Sequence, residues 1–203
     1  MWIISLKFTF VTLFSNLIEP YFHDSILKRA IESNFISYEF YNPRDFTTNK
    51  HKKVADQMVS EGGVMLLSCQ PLFDCLDEIK SKNKYAYIVF PLAAAKPFRQ
   101  NDAKRLAKKE NIVFVSGRYE GIDERVIEKY ANEVFSIGEF ILTGGELPSL
   151  VMADAISRNV EKVLGNADSL DVESYENNLL EAPSFAKPEI FQKLSVVKEF
   201  LKG

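Results

Sequence analysis

The sequence predicts an α/β domain: a mostly parallel sheet with helices on both faces. Two observations carry this. Short apolar runs of strand character alternate with amphipathic helical stretches up to about residue 160, the pattern of repeated βαβ units. One run, NIVFVSG (111–117), is apolar almost throughout, as expected of a strand covered on both faces.

The elements follow in chain order. The apolar start, MWIISLKFTFVTLF, has no basic leading segment, is broken by Lys7, and is followed by no small-residue cleavage site. It therefore does not read as a secretion signal. No stretch reaches the roughly 18 uninterrupted apolar residues of a membrane span. A first strand is predicted over Lys7–Leu13, rich in Phe, Val and Thr. Asp24 opens a helical pattern, DSILKRAIES, and FISYEFY (35–41) reads as a strand. The polar stretch 42–63 shows little periodicity and is long for a connection, so it is expected to be functional or mobile. PLFDCLDEIKSK (71–82) is an amphipathic helix and KYAYIVFPL (84–92) a strand. NDAKRLAKKE (101–110) is a helix with Asn101 as its N-cap. IDERVIEKYA (122–131) is a helix and NEVFSIG (132–138) a strand. ELPSLVMADAISRNV (146–160) is a helix that tolerates Pro148 in its first turn. From about Val163 the chain turns acidic, loses its period and reads as a linker. The last stretch, FQKLSVVKEFLKG, is too short for a second core.

Composition narrows the class. The chain has 203 residues, 46% hydrophobic and 26% charged, enough for one domain with a tail. Its net charge of -3 gives no global basic field. Lysines and arginines do cluster at Lys50, Lys52 and Lys53, at Lys80, Lys82 and Lys84, and from Lys104 to Lys109. These are either solvated faces or a set of phosphate contacts. Two cysteines (Cys69, Cys75) and two histidines (His23, His51) are too few for a disulfide framework or a structural zinc site. Reduced thiols point to a cytoplasmic protein.

Two stretches lie where ligands bind in open α/β sheets, at the carboxyl ends of strands. SGRYEGIDERV (116–126) places five charges in eight residues. Asp123 and Glu124 are explained by a helix N-terminus; Arg118 and Glu120 precede it and are not. SIGEFILTGGEL (136–147) carries three glycines, Gly138, Gly144 and Gly145. It matches neither G-x-G-x-x-G nor the Gly-Lys-Ser/Thr phosphate loop. Its spacing alone leaves a structural turn and a ligand contact equally open. Arg158 could pair with Asp154 one turn back, and Glu173 could simply be solvated.

The words GRYEGIDERV, SIGEFILTGGELPSLVMADAISR, VLGNADSL and ESYENNLLEAP, with LFSNL and NPRDFT earlier, resemble the bacterial tRNA (guanine-N1)-methyltransferases, the TrmD family of the SPOUT superfamily. The resemblance implies a C-terminal trefoil knot, a homodimer, and methyl transfer from S-adenosylmethionine to N1 of the guanine 3′ of the anticodon, tRNA position 37. It implies Glu173 as general base, reaching in from the other subunit, and Arg158 as the cation that orients the guanine. It implies Gly117, Ile137, Gly138, Leu142, Gly144 and Gly145 around S-adenosylmethionine. Glu120 would face its methionine end or a Mg2+ ion, and Glu181 its amino group. The implied organisation is a knotted domain (1–164), a linker (165–180) and the start of a truncated tRNA-binding domain (181–203).

Two stretches depart from the family's pattern. VSEGGVM (59–65) stands where members carry a segment of the type YGGGPGM, and PLAAAK (91–96) where they carry LSPxGK. Ser60 and Val64 would be strained if that loop needs positive φ. Ala93 and Ala95 would add methyls at a close approach, and Pro91 would interrupt its strand. A second reading follows, a knotted dimer that binds without catalysing. A third, an ordinary doubly wound nucleotide-binding domain, lacks its glycine loop after the first strand.

Overall fold

A computed structural model describes residues 5–60, 62–164, 175, 180 and 182–197. The chain divides into two compact units, Met1–Ala167 and Asp168–Gly203. The second contains a short antiparallel hairpin, Ile190–Phe191 against Leu194–Ser195.

The first unit is built on a five-stranded sheet. Its strands are β1 (Leu6–Val11), β2 (Ile36–Tyr41), β5 (Ala86–Pro91), β6 (Asn111–Val115) and β7 (Glu133–Phe135). They lie in the order β2-β1-β6-β5-β7 with every pair parallel. β6 sits at the centre and all five of its residues are buried, so its unbroken apolar run has the predicted cause.

Alternation along the strands feeds two cores. On one face Phe8, Phe10 and Phe114 stack at 5.7–6.3 Å. They pack with α1 (Ser25–Glu32), α3 (Gln100–Leu106) and α5 (Glu146–Ser157). On the other, Val11, Val113 and Val115 meet α2 (Cys69–Lys82) and α4 (Glu124–Tyr130). Among the described residues no helix is long and apolar enough to cross a membrane.

Two local expectations are corrected, and one stretch holds more structure than its sequence shows. Asn101 does not cap α3; extended Arg99 does, and Asp102 accepts its N–H at 3.0 Å. Pro91 does not interrupt β5 but ends it. Leu92 N–H donates to Phe135 O (2.9 Å) on the β7 side. The missing N–H of Pro91 therefore faces β6, whose pairing has already stopped at Val89↔Phe114. The stretch 42–63 is not a bare connection. It holds a 3-10 turn at Pro43–Asp45 and β3 (Ala55–Gln57), which pairs with β4 (Met65–Leu67) in a small hairpin.

Connectivity sets up the site. The chain leaves β7 at the sheet edge and returns to its centre, where Gly145 N–H donates to Gly117 O at 2.9 Å. α5 starts there and runs along the sheet, with Ser149 Oγ 3.1 Å from Ser116 Oγ.

β7 is anchored by charge at its first residue. Glu133 is gripped by Arg105 (2.7 Å), Lys96 (3.0 Å) and Tyr87 Oη (2.7 Å). Burial pushes its carboxyl pKa up, but the hydrogen bonds from Arg105, Tyr87 and Lys96 outweigh burial and hold it at about 2. A carboxyl held below its unfolded pKa of roughly 4.3 stabilises the fold above that value and loses the contribution as pH falls through the folded one. Glu133→Gln is therefore expected to cost about 2 kcal/mol at neutral pH. In denaturant melts the gap from the parent should close between about pH 4.5 and 2.

Candidate active site

The loops at the carboxyl ends of β5, β6 and β7, with the N-terminus of α5, enclose a cavity of about 310 Å³. That volume falls within the range of small-molecule sites. Seven of the eight expected cofactor residues line it: Gly117, Glu120, Ile137, Gly138, Leu142, Gly144 and Gly145. The eighth, Glu181, and the expected base Glu173 lie outside the described residues.

The glycines fit tight spaces inside the protein. A Cβ on Gly145 would sit 2.7 Å from Gly117 N and from Ser116 Cα, backbone atoms that cannot step aside. A Cβ on Gly144 would fall 2.6 Å from Arg118 Nε and 2.7 Å from Glu146 Oε2. One on Gly138 would strike the ring of Phe140. The loop is thus pressed against the β6 turn, and its Ile137, Phe140, Ile141 and Leu142 give the cavity an apolar side.

Beneath the loop lies a buried ion pair that the sequence did not reveal. Glu146, 3% exposed, accepts from Thr12 Oγ1 (2.8 Å) and stands 2.9 Å from Arg118 Nε. Arg118 also donates to Thr143 O (3.2 Å) and covers the ring of Phe14 at 4.6 Å. The charge density around 118–125 marked Arg118 in the sequence. Its partner, 28 positions later, carried no signal in the sequence.

The charges that the helix N-terminus explained behave so. Asp123 caps α4, and the Arg125 guanidinium at 2.6 Å holds its carboxyl well below the usual range. The cysteines are poor nucleophiles. Burial, with help from Asp123, pushes Cys69 up, and burial pushes Cys75 up to about 12.

A second, more polar cavity of about 650 Å³ adjoins the first. Arg44, Asn49, His51 and Lys53, from the stretch expected to be functional or mobile, line it together with Gln70 of α2. Tyr119 belongs to both cavities and adopts a left-handed backbone, φ +60°. Such a conformation is rare for a bulky residue, and no sequence signal marked it. Arg158 stands apart. It caps the far end of α5, roughly 20 Å along the helix from Gly145. Asp154, one turn back on α5, accepts from Tyr21 Oη at 2.8 Å.

The two departing stretches leave the cavity open. Ala93 lines it, whereas Ala95 turns away with its N–H on Leu92 O (3.2 Å). Among the described residues of 59–65 only Gly63 takes positive φ, +89°. Ser60 and Val64 carry no such strain.

Gly145→Ala is expected to lower the thermal midpoint by several degrees, because the clash is with backbone. Gly62→Ala, which meets nothing within 4 Å, should stay within about a degree or two of the parent. Paired thermal melts check both.

Comparison with known proteins places the chain in a family. The sequence model of the family described as tRNA (Guanine-1)-methyltransferase TrmD matches residues 6–203. The tRNA (guanine-N(1)-)-methyltransferase of Sulfurimonas denitrificans is 64% identical over 198 residues, covering 98% of this chain and 86% of that protein. Its counterpart in Campylobacter curvus is 60% identical, covering 98% and 84%. The crystal structure of the tRNA (m1G37) methyltransferase from Aquifex aeolicus superposes with a TM-score of 0.80 at 29% identity, over 98% of this chain and 84% of that one. The chain belongs to the TrmD family of tRNA (guanine-1)-methyltransferases.

Proposed function

We propose that this chain transfers a methyl group from S-adenosylmethionine to N1 of the guanine at tRNA position 37, as a knotted homodimer. The observation that carries the reading is the cavity of about 310 Å³, lined by seven residues that match the family's cofactor positions. The donor set fits the cofactor: apolar walls for an adenine, close backbone N–H and C=O groups, and a carboxylate, Glu120, at the rim. Among the described residues no three His, Cys, Asp or Glu side chains gather to cage a metal ion. A Mg2+ ion would be held by Glu120 with substrate oxygens, the usual mode for that cation.

Bound S-adenosylmethionine supplies an electrophilic methyl on a sulfonium. The residues must make guanine N1 a nucleophile. N1 carries a proton, which Glu173 removes, and the charge that then develops on O6 is met by Arg158. Ile137 and Leu142 clasp the adenine, and Glu181 holds the methionine amino group.

Two observations support the dimer. Arg158 of one chain lies at the far end of α5 from that chain's own cavity, which favours its acting in the cavity of a second subunit. Leu147 and Val151 on α5, with Leu17 and Tyr21, are also large apolar side chains left exposed, the signature of a covered face. The return of the chain from β7 to Gly145 supports the knot. Arg44, His51 and Lys53 in the adjoining polar cavity support a polyanionic substrate such as tRNA.

Labelled S-adenosylmethionine with full-length substrate tRNA should give N1-methylguanine at position 37, seen as a reverse-transcription stop. Glu173→Gln should cut the transfer rate by about 100-fold or more with cofactor affinity unchanged. No transfer to the intact tRNA, or full activity in the variant, would overturn the reading.

A further inference from the structure

The ion pair Arg118–Glu146 is costly by ordinary rules. Burying two charges is seldom repaid unless their geometry is excellent. Here it is not: Arg118 Nε and Glu146 Oε2 are buried and 2.9 Å apart, yet neither makes an aligned hydrogen bond. An apolar pair of the same size would fill the space at less cost. What the pair does achieve is attachment. Glu146 holds Thr12 Oγ1, which in turn accepts from Phe14 N–H at 2.9 Å. Arg118 holds Thr143 O, and its plane rests on Phe14. The segments after β1, β6 and β7 and the first residue of α5 thus meet at one buried charge pair. Gly144 lies directly over it, where any side chain would displace it.

We infer that Arg118 and Glu146 are positioning residues, a latch that holds residues 138–145 in the shape that receives the cofactor. Arg118 lines the cavity and acts on the loop through the Thr143 carbonyl; Glu146, outside the cavity lining, acts through Arg118. This assigns Gly144 a different task from the one the resemblance implies, which is to leave room for the latch. The inference rests on the cofactor reading of the cavity.

The test compares the parent with the double variant Arg118→Met, Glu146→Met. The double variant removes both charges and strands neither, which offsets the buried Thr12 Oγ1 left without its acceptor, so it should fold with a thermal midpoint near that of the parent. Two quantities are read: hydrogen exchange of amides 138–145 without ligand, and the Kd of S-adenosylhomocysteine by calorimetry. The latch predicts exchange about tenfold faster and binding about tenfold or more weaker in the double variant. Exchange and Kd equal to the parent's would overturn it. Should the double variant not fold, Arg118→Lys decides the question. It keeps a buried cation but cannot span both Glu146 and Thr143. The expected result is a raised KM for S-adenosylmethionine at nearly constant kcat; a parental KM would refute the latch. If the parent itself gives no heat with S-adenosylhomocysteine, the cofactor reading fails, and the exchange measurement still decides the latch.

Discussion

The approach of one backbone to another, Gly145 onto Gly117 with a 2.9 Å hydrogen bond, is the constraint on which the site depends. It joins the loop after an edge strand to the turn after the central strand. Everything between, residues 136–144, must then arch over the carboxyl ends of β5 and β6, and that arch is one side of the cavity. Methyl-sized tolerance at the contact is nil, because the neighbouring atoms are the main chain of Ser116 and Gly117, directly after the fully buried strand β6. Residue choice elsewhere in the loop follows. Gly144 clears the ion pair, Gly138 clears Phe140, and the apolar side chains are free to face a ligand.

Electrostatics and packing divide the work. Hydrophobic burial on both sheet faces makes the platform, with three stacked phenylalanines on one side and a valine layer on the other. Charge is used where apolar contact cannot fix direction. Glu133 pins the short edge strand β7 to α3 and β5, and Glu146 pins the return of the chain beside Thr12 and Arg118. Both carboxylates act on the segment that carries the loop 136–145, one at each of its ends. The arch is therefore held by charge at both termini, and its middle remains apolar and exposed.

Much of this was legible in the sequence, and the limits have physical causes. Periodicity located every strand of the main sheet, because burial on two faces leaves an unmistakable apolar run such as NIVFV. The glycine cluster announced that backbone was at work, but not what it touched: a Gly145–Gly117 contact spans 28 positions, and no local pattern encodes it. The pairing of Arg118 with Glu146 was hidden for the same reason. The β3–β4 hairpin was missed because its strands, ADQ and MLL, are three residues long, too short to show alternation. Asn101 failed as a cap because Arg99 and Asp102 offered the helix an earlier start. The roles of Glu173 and Arg158 came from the family resemblance; nothing in their own spacing sets them apart.

The most direct test of the account is a crystal structure of the chain with S-adenosylhomocysteine. The account predicts the adenine between Ile137 and Leu142, its edge on the backbone of the loop 136–145, and the Gly145–Gly117 hydrogen bond intact. A ligand seated elsewhere, or a loop that leaves Gly117 in order to admit it, would contradict the claim that this backbone contact builds the site.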